Sequence, residues 1–308
     1  MVGVLTGFAI IGAIVAAGWF TGRLGVLGPD AATVLGRAAF FVFTPALLFT
    51  VLADADVEQL FSRLLIVSAA AAALCLLVFA LVARLVWRRG AAESTIGALA
   101  SSYTNANNIG LPLAAYVLGD PALSAPVILL QLIVIAPIAL TILDVSTSGR
   151  VSVGRILSQP VRNPLIIGSA VGLLLAVTDV ELPDPVMEPF RLLGGAAVPV
   201  VLFVLGLSLT GERILAAGTG RRDVLLATTL KIVVMPLAAW LIGAFALRLD
   251  GADLFTVVTL AALPAGQNVF QYAQRFDRAT VVARDAVLIT TALSVPALVV
   301  VAALLAPR

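Results

Sequence analysis

Five side-chain amides and two prolines stand where apolar runs should continue unbroken. One group is Asn105-Ala106-Asn107-Asn108-Ile109-Gly110-Leu111-Pro112, and the other, about 150 positions later, is Leu263-Pro264-Ala265-Gly266-Gln267-Asn268. Backbone that leaves the helical conformation inside a bilayer exposes N–H and C=O groups that lipid cannot satisfy, so it must face protein or a watery cavity. The helix ends made by such a break carry free backbone donors and the positive end of a dipole, which together stabilise an anion such as a carboxylate. Asn105, Asn107, Asn108, Gln267 and Asn268 add amide donors and acceptors without a fixed charge in a low-dielectric interior. A small organic anion is the ligand that fits. The plainer reading is that these amides only satisfy the backbone freed by Pro112 and Pro264. Ser101, Ser102, Tyr103, Thr104, Gln131 and Gln271 are candidates to line the same cavity, although small hydroxyls also serve as packing contacts between membrane helices.

Lys231 is the other exceptional residue, flanked by Leu230, Ile232, Val233 and Val234. A lysine at the centre of a span costs roughly 2.5 to 3.5 kcal/mol on insertion scales. It serves either as counter-charge for an anion or for a carboxylate on another helix, or it snorkels. At 1.5 Å per residue it stands about 12 Å from the nearer end of its span, within partial reach of the interface.

The elements that must position these residues follow from composition. Of the 308 residues 61% are hydrophobic and 12% charged, and the mean hydropathy is +1.12; a soluble domain carries about 25% charged residues. The chain reads as an all-α polytopic membrane protein. Ten apolar runs of spanning length fall at 2–20, 34–52, 63–85, 94–118, 122–143, 161–178, 190–210, 223–247, 253–274 and 283–305. Helix-breaking prolines near positions 45, 112, 199, 236 and 264 leave the ends of those runs set only to within several positions.

Arginines follow the odd-numbered runs, among them Arg23, Arg88, Arg89, Arg150, Arg213, Arg221 and Arg278, whereas the even-numbered connections carry mainly acids such as Asp54, Asp120, Glu181 and Asp250. Basic residues stay on the cytoplasmic side, so both termini are expected outside in the cytoplasmic membrane. The pI of about 9.1 belongs to those inner connections and indicates no nucleic-acid partner. The start, Met1 to Ile10, has no basic residue, so the first run reads as a retained helix. With no histidine and with Cys75 alone in an apolar run, no metal site or cofactor is expected.

The two halves correspond in position. Pro29, Asp30, Arg37 and Pro45 recur at an offset of 154 as Pro183, Asp184, Arg191 and Pro199, and Pro112 recurs as Pro264 at an offset of 152. Five runs per half is odd, so the second copy enters the membrane from the other side. Residues 1–145 and 161–308 are thus read as inverted repeats joined by a cytoplasmic linker at 146–160. Inverted repeats with paired helix breaks are the mark of secondary transporters, which expose a midplane site alternately to either side.

The breaks at Asn105 to Pro112 and at Ala262 to Phe270, with Lys231-Ile232-Val233-Val234-Met235-Pro236-Leu237, resemble the motifs of the auxin efflux carrier family over essentially the whole chain. The resemblance implies the ten-helix fold of the bile-acid sodium symporters, with broken runs 4 and 9 crossing. Runs 1, 2, 6 and 7 would form a scaffold, also the candidate surface for a homodimer, and runs 3–5 with 8–10 a moving transport domain. Plant PIN members export the auxin indole-3-acetate, and bacterial relatives include permeases for malate and other carboxylates. The chain lacks the long hydrophilic loop typical of plant PIN transporters, which favours a bacterial-type permease. Asn105, Asn107, Asn108, Pro112, Pro264, Gln267, Asn268 and Lys231 are the substrate-binding candidates.

Neither broken run has a central Asp or Glu, which disfavours sodium symport, and proton coupling would have to use Lys231, Asp144 or Glu93. Potential-driven export of an anion needs neither. An intramembrane enzyme would require a nucleophile with its base, or paired acids in a cavity, and the runs contain neither pairing.

Overall fold

The computed structural model describes residues 2–54, 63–148, 163–208 and 220–307. Within them the chain forms twelve helical segments. These are α1 Val2–Leu24, α2 Ala31–Ala53 and α3 Arg63–Val86, α4 Ala91–Ser102, α5 from Ala106 to Leu118 and α6 Pro121–Thr147. The second half contributes α7 Pro164–Thr178, α8 Asp184–Ser208 and α9 Arg221–Ala246, α10 Gly251–Ala261, α11 Gln267–Phe276 and α12 Thr280–Leu305. Six of them (α2, α3, α6, α8, α9 and α12) are long and apolar enough to cross a membrane, and shorter apolar helices accompany them. Most of the expected linker at 146–160 lies outside the described residues; its first residues continue the helix of α6.

Proline does not interrupt most of these helices. One wide π turn precedes each of four prolines: Ala39–Phe43 before Pro45, Ala106–Gly110 before Pro112, Gln131–Ile135 before Pro137 and Leu230–Val234 before Pro236. A proline lacks the N–H that would bond four residues back, and its ring collides with that carbonyl. The extra residue of a π turn carries the carbonyl aside, so the helix continues through the proline. Pro199 likewise lies inside α8. Pro45, Pro112, Pro199 and Pro236 thus lie within helices; the expected interruption at Pro112 is corrected, and of these five prolines only Pro264 stands in a break.

Two sets of helices pack internally. In the first, α1 lies along α8, and α2 lies against α7 and α8. A Cβ on Gly18 would strike the carbonyl of Phe203, one on Gly206 that of Val15, and one on Gly168 that of Pro45. Backbones approach this closely in membranes because packing, rather than exclusion of water, holds the helices together. The second set comprises α3, α4, α6 and α9 to α12, around a core that includes Val67, Phe79, Ile96, Leu143, Val257 and Ala286. Cys75 is buried there, its thiol 3.5 Å from the Leu230 carbonyl. Ion pairs gather one end of this set: Arg89 meets Asp223 at 2.7 Å and Arg278 meets Glu93 at 3.7 Å. At the other end Arg63 donates to the Leu247 carbonyl at 3.2 Å. The segment order of α1 to α6 recurs in α7 to α12, down to the left-handed residue that follows the third helix of each half, Arg88 (φ 55°) and Arg248 (φ 54°).

Candidate functional site

The two breaks meet. Between α4 and α5 the chain is non-helical over Tyr103, Thr104 and Asn105, and between α10 and α11 it is non-helical near Leu263 to Gly266. Thr104 and Ala265 form one antiparallel bridge. The Asn105 N–H donates to the Pro264 carbonyl and the Gly266 N–H to the Tyr103 carbonyl, both at 2.8 Å. The Ala265 N–H donates to Thr290 Oγ1 at 3.0 Å. Each break thus satisfies much of the backbone freed by the other, which releases most of the amides from that task. Gly266 permits the crossing: a Cβ there would stand 3.0 Å from the Tyr103 ring and 3.3 Å from the Thr104 carbonyl.

The amides divide by role. Asn105 is buried, and its Oδ1 accepts from the Asn108 N–H at 3.2 Å, capping α5. Asn107, Asn108, Gln267 and Asn268 are half-buried at matching first-turn positions of α5 and α11. Asn107 Nδ2 donates to Asn108 Oδ1 at 3.0 Å, and Asn108 Nδ2 donates across the crossing to Gln267 Oε1 at 3.3 Å. Asn268 Nδ2 lies 3.5 Å from the Tyr103 hydroxyl, and the Tyr103 ring stands edge-on to Tyr272, centroids 6.4 Å apart. Asn107 Oδ1 and Asn105 Nδ2 are buried without a hydrogen-bond partner, a costly condition that a ligand or water would relieve. The first turn of α11 has no side-chain cap, because Gly266 precedes it.

These amides face a cavity of about 530 Å³, the size of a small-molecule site. Its far wall is α2 and α8, which contribute Thr33, Arg37, Phe40 and Ser208. Gln271, one turn along α11, lines it too. Tyr103, Thr104, Asn105 and Gln131 line a smaller cavity of about 30 Å³ beside the crossing. Ser101 turns away, its hydroxyl donating to the Ala98 and Cys75 carbonyls at 2.7 and 3.2 Å. Ser102 donates to the Ala98 carbonyl at 2.8 Å. Pro112 and Pro264 are buried and support the crossing without lining the larger cavity.

Lys231 packs inside the protein. It is fully buried, and its ammonium donates to the Ala261 carbonyl at 2.8 Å and to Met235 Sδ at 3.2 Å. Ala261 is the last residue of α10, so the ammonium caps the C-terminal, negative end of the helix that the break cuts short. It neither snorkels nor lines the larger cavity.

Nothing in the sequence marks Arg37, Thr33 or Ser208 as a site residue, and Arg37 stands out there only as a member of the repeat. Among the described residues it is the one ionisable side chain that lines the larger cavity.

Two helix breaks bonded to each other beside an amide-lined cavity, in a chain of apolar helices of spanning length, fit a membrane transporter. Comparison with known sequences agrees. The profile of a family described as membrane transport protein matches residues 4–152 and 150–302. The chain therefore belongs to that family, the auxin efflux carrier family. Relatives include an uncharacterized transporter, YfdV, of Escherichia coli (strain K12), 25% identical over 84% of both chains. A putative malonate transporter of Rhizobium meliloti (strain 1021) is 26% identical over 90% of this chain and 88% of its own length. A probable auxin efflux carrier component 5c of Oryza sativa subsp. japonica is 31% identical over 45% of this chain and 38% of its own. Family and relatives point to transport rather than catalysis.

Proposed function

We propose that the protein carries a small organic anion, a carboxylate, across the cytoplasmic membrane by alternating access. The observation that carries this reading is the crossing itself. Two helix breaks bond backbone to backbone, and four half-buried amides at the adjoining helix starts face a cavity walled on the other side by α2 and α8. The amides, with the uncapped first turn of α11, offer donors to a carboxylate.

Ten spans in two inverted repeats account for the recurring segment order, with α4 and α5 together as the fourth span and α10 and α11 as the ninth. The glycine-mediated set α1, α2, α7 and α8 acts as scaffold. The remaining segments act as the transport domain, which slides with the crossing in elevator fashion. With the basic connections inside, both termini lie outside, and the Arg37 end of α2 and the Ser208 end of α8 lie towards the cytoplasm. The cavity then opens inward. No carboxylate lines it among the described residues, which supports anion binding without a bound cation. An inside-negative potential contributes about 2.3 kcal/mol per 100 mV to the exit of each unit of negative charge, so export needs no coupled ion.

Two relatives named as a putative malonate transporter and a probable auxin efflux carrier component agree with carboxylate cargo. The test is flux of radiolabelled malonate, malate and indole-3-acetate into proteoliposomes containing only this protein. At least one is expected to move, and Asn108→Ala and Asn268→Ala are expected to reduce that flux strongly while the folded population is kept. Absence of flux for all three, or wild-type flux in both variants, overturns the reading.

A further inference from the structure

We infer that Arg37 is the anion-recognising cation of the mouth that is open in this structure, and that its repeat counterpart, Arg191, is masked at the opposite mouth, so that the two faces of the transporter bind their anion with unequal affinity. The inference rests on the proposed anion transport and adds to it a residue and an asymmetry.

The two arginines occupy equivalent places, seven positions after Asp30 and Asp184 respectively. Their surroundings differ. The exposed guanidinium of Arg191 pairs with Asp184 at 3.1 Å, and Glu188 stands beside it at 4.0 Å. In the first repeat the position corresponding to Glu188 is Val34, which is exposed. Asp30 remains, but among the described residues no carboxylate stands within ion-pair distance of Arg37. Arg37 instead lines the cavity that Asn107, Asn108, Gln267 and Asn268 face from the other side.

A guanidinium presents a planar fork of donors that matches a carboxylate in two-point geometry, and it keeps its charge at every physiological pH. Facing neutral amides across a cavity, it supplies the charge the amides lack. It therefore draws anions into the open site and discriminates against neutral molecules of the same shape. When the transport domain moves and the opposite mouth opens, the equivalent place is taken by Arg191. There Asp184 and Glu188 compete with the cargo for the guanidinium and repel it as it arrives. Binding from the Arg37 side is tighter, and release past Arg191 is easier. The asymmetry does not move the equilibrium across the membrane, which the gradients alone set; it lowers the concentration needed to load the carrier from one side.

The experiment measures initial-rate flux against concentration in right-side-out and inverted membrane vesicles of known protein content. The probe is whichever of radiolabelled malonate, malate or indole-3-acetate the wild type moves fastest. In inverted vesicles Arg37→Gln is expected to raise the half-saturating concentration about tenfold or more, the size of a lost charge-assisted hydrogen bond. Arg37→Lys should recover a large part of that. In right-side-out vesicles Arg191→Gln should change the value less than about twofold, whereas Asp184→Asn with Glu188→Gln should lower it by freeing the guanidinium. A general folding defect would lower the amount of protein in the membrane and the maximal rate together, without a shift confined to one face. Equal effects of Arg37→Gln and Arg191→Gln, or an unchanged half-saturating concentration in Arg37→Gln, overturn the inference while leaving anion transport standing. The Arg37 effect confined to right-side-out vesicles supports the role of Arg37 and overturns the assigned orientation. No wild-type flux of any probe removes the transport reading and the inference with it.

Discussion

Replacing Lys231 with methionine should separate the stability of the fold from the geometry of its site. The ammonium is fully buried and donates to the Ala261 carbonyl at 2.8 Å. A hydrogen bond involving a charged group contributes about 1.5 to 3 kcal/mol. Against that loss stands relief from holding a cation within the bilayer, roughly 2.5 to 3.5 kcal/mol. The two nearly cancel, and methionine refills the space with an unbranched, adaptable side chain. The thermal midpoint of the detergent-purified variant should therefore stay near that of the wild type. Transport should not. The Ala261 carbonyl closes α10 one residue before the turn into the crossing, so its loss of a partner removes about 1.5 to 3 kcal/mol of preference for the bridged arrangement of Thr104 and Ala265. At 1.4 kcal/mol per factor of ten, the ratio of the bridged to the unbridged arrangement falls by roughly ten- to a hundredfold, and flux falls with it. Lys231→Arg should fail as well, because a larger fork in a filled site overpacks it at a cost of about 1 to 3 kcal/mol. The assay pairs initial-rate flux, normalised to protein in the membrane, with thermal unfolding of the same preparations. Wild-type flux from Lys231→Met at an unchanged midpoint would refute the positioning role. A collapse of the midpoint would refute the claimed cancellation.

Three further outcomes follow from the same geometry. Asn108→Ala and Gln267→Ala should be non-additive in flux, with a coupling of about 0.5 to 1.5 kcal/mol from their 3.3 Å bond across the crossing; strict additivity would mean the bond has no part in the working state. Gly206→Ala should lower the unfolding midpoint, since its Cβ would strike the Val15 carbonyl, while Gly12→Ala, which meets open space, should not; equal midpoints would argue against close α1–α8 packing. Against the buried Cys75, a cysteine at Glu181 should react with an impermeant thiol reagent added outside intact cells, and one at Asp30 only after the membrane is opened; the reverse pattern would invert the proposed orientation.

The long apolar helices were legible because apolar runs ended by charge are the strongest signal a membrane sequence carries, and α3 at Arg63–Val86 and α12 at Thr280–Leu305 fall within a few residues of the expected runs. The breaks were legible in place but not in extent. Asn105 to Pro112 read as one interruption, yet the chain departs from helix at Tyr103 to Asn105 and resumes with a π turn before Pro112. A π turn has no residue signature of its own, so the rescue of Pro45, Pro112 and Pro236 shows only in three dimensions. Lys231 was ambiguous because its acceptor, the Ala261 carbonyl, lies 30 positions away and is a backbone group that no side-chain pattern announces. Arg37 was hidden differently. It resembled any basic residue near the end of a span, and its place on the cavity wall shows only in three dimensions.

On the proposed mechanism the cavity beside the two breaks is the route of the cargo and opens to one side at a time. Gln271 lines that cavity one turn from the amides and is exposed to it, whereas Cys75 is buried, so a Gln271→Cys variant carries one reactive thiol at the site. Its rate of reaction with an impermeant maleimide is measured in inverted and right-side-out vesicles, with and without the transported anion. Reaction should be fast from the cytoplasmic face and slow from the outer face, and the anion at saturating concentration should slow the cytoplasmic rate severalfold. Equal reaction from both faces, or a cytoplasmic rate that the anion leaves unchanged, would contradict that mechanism.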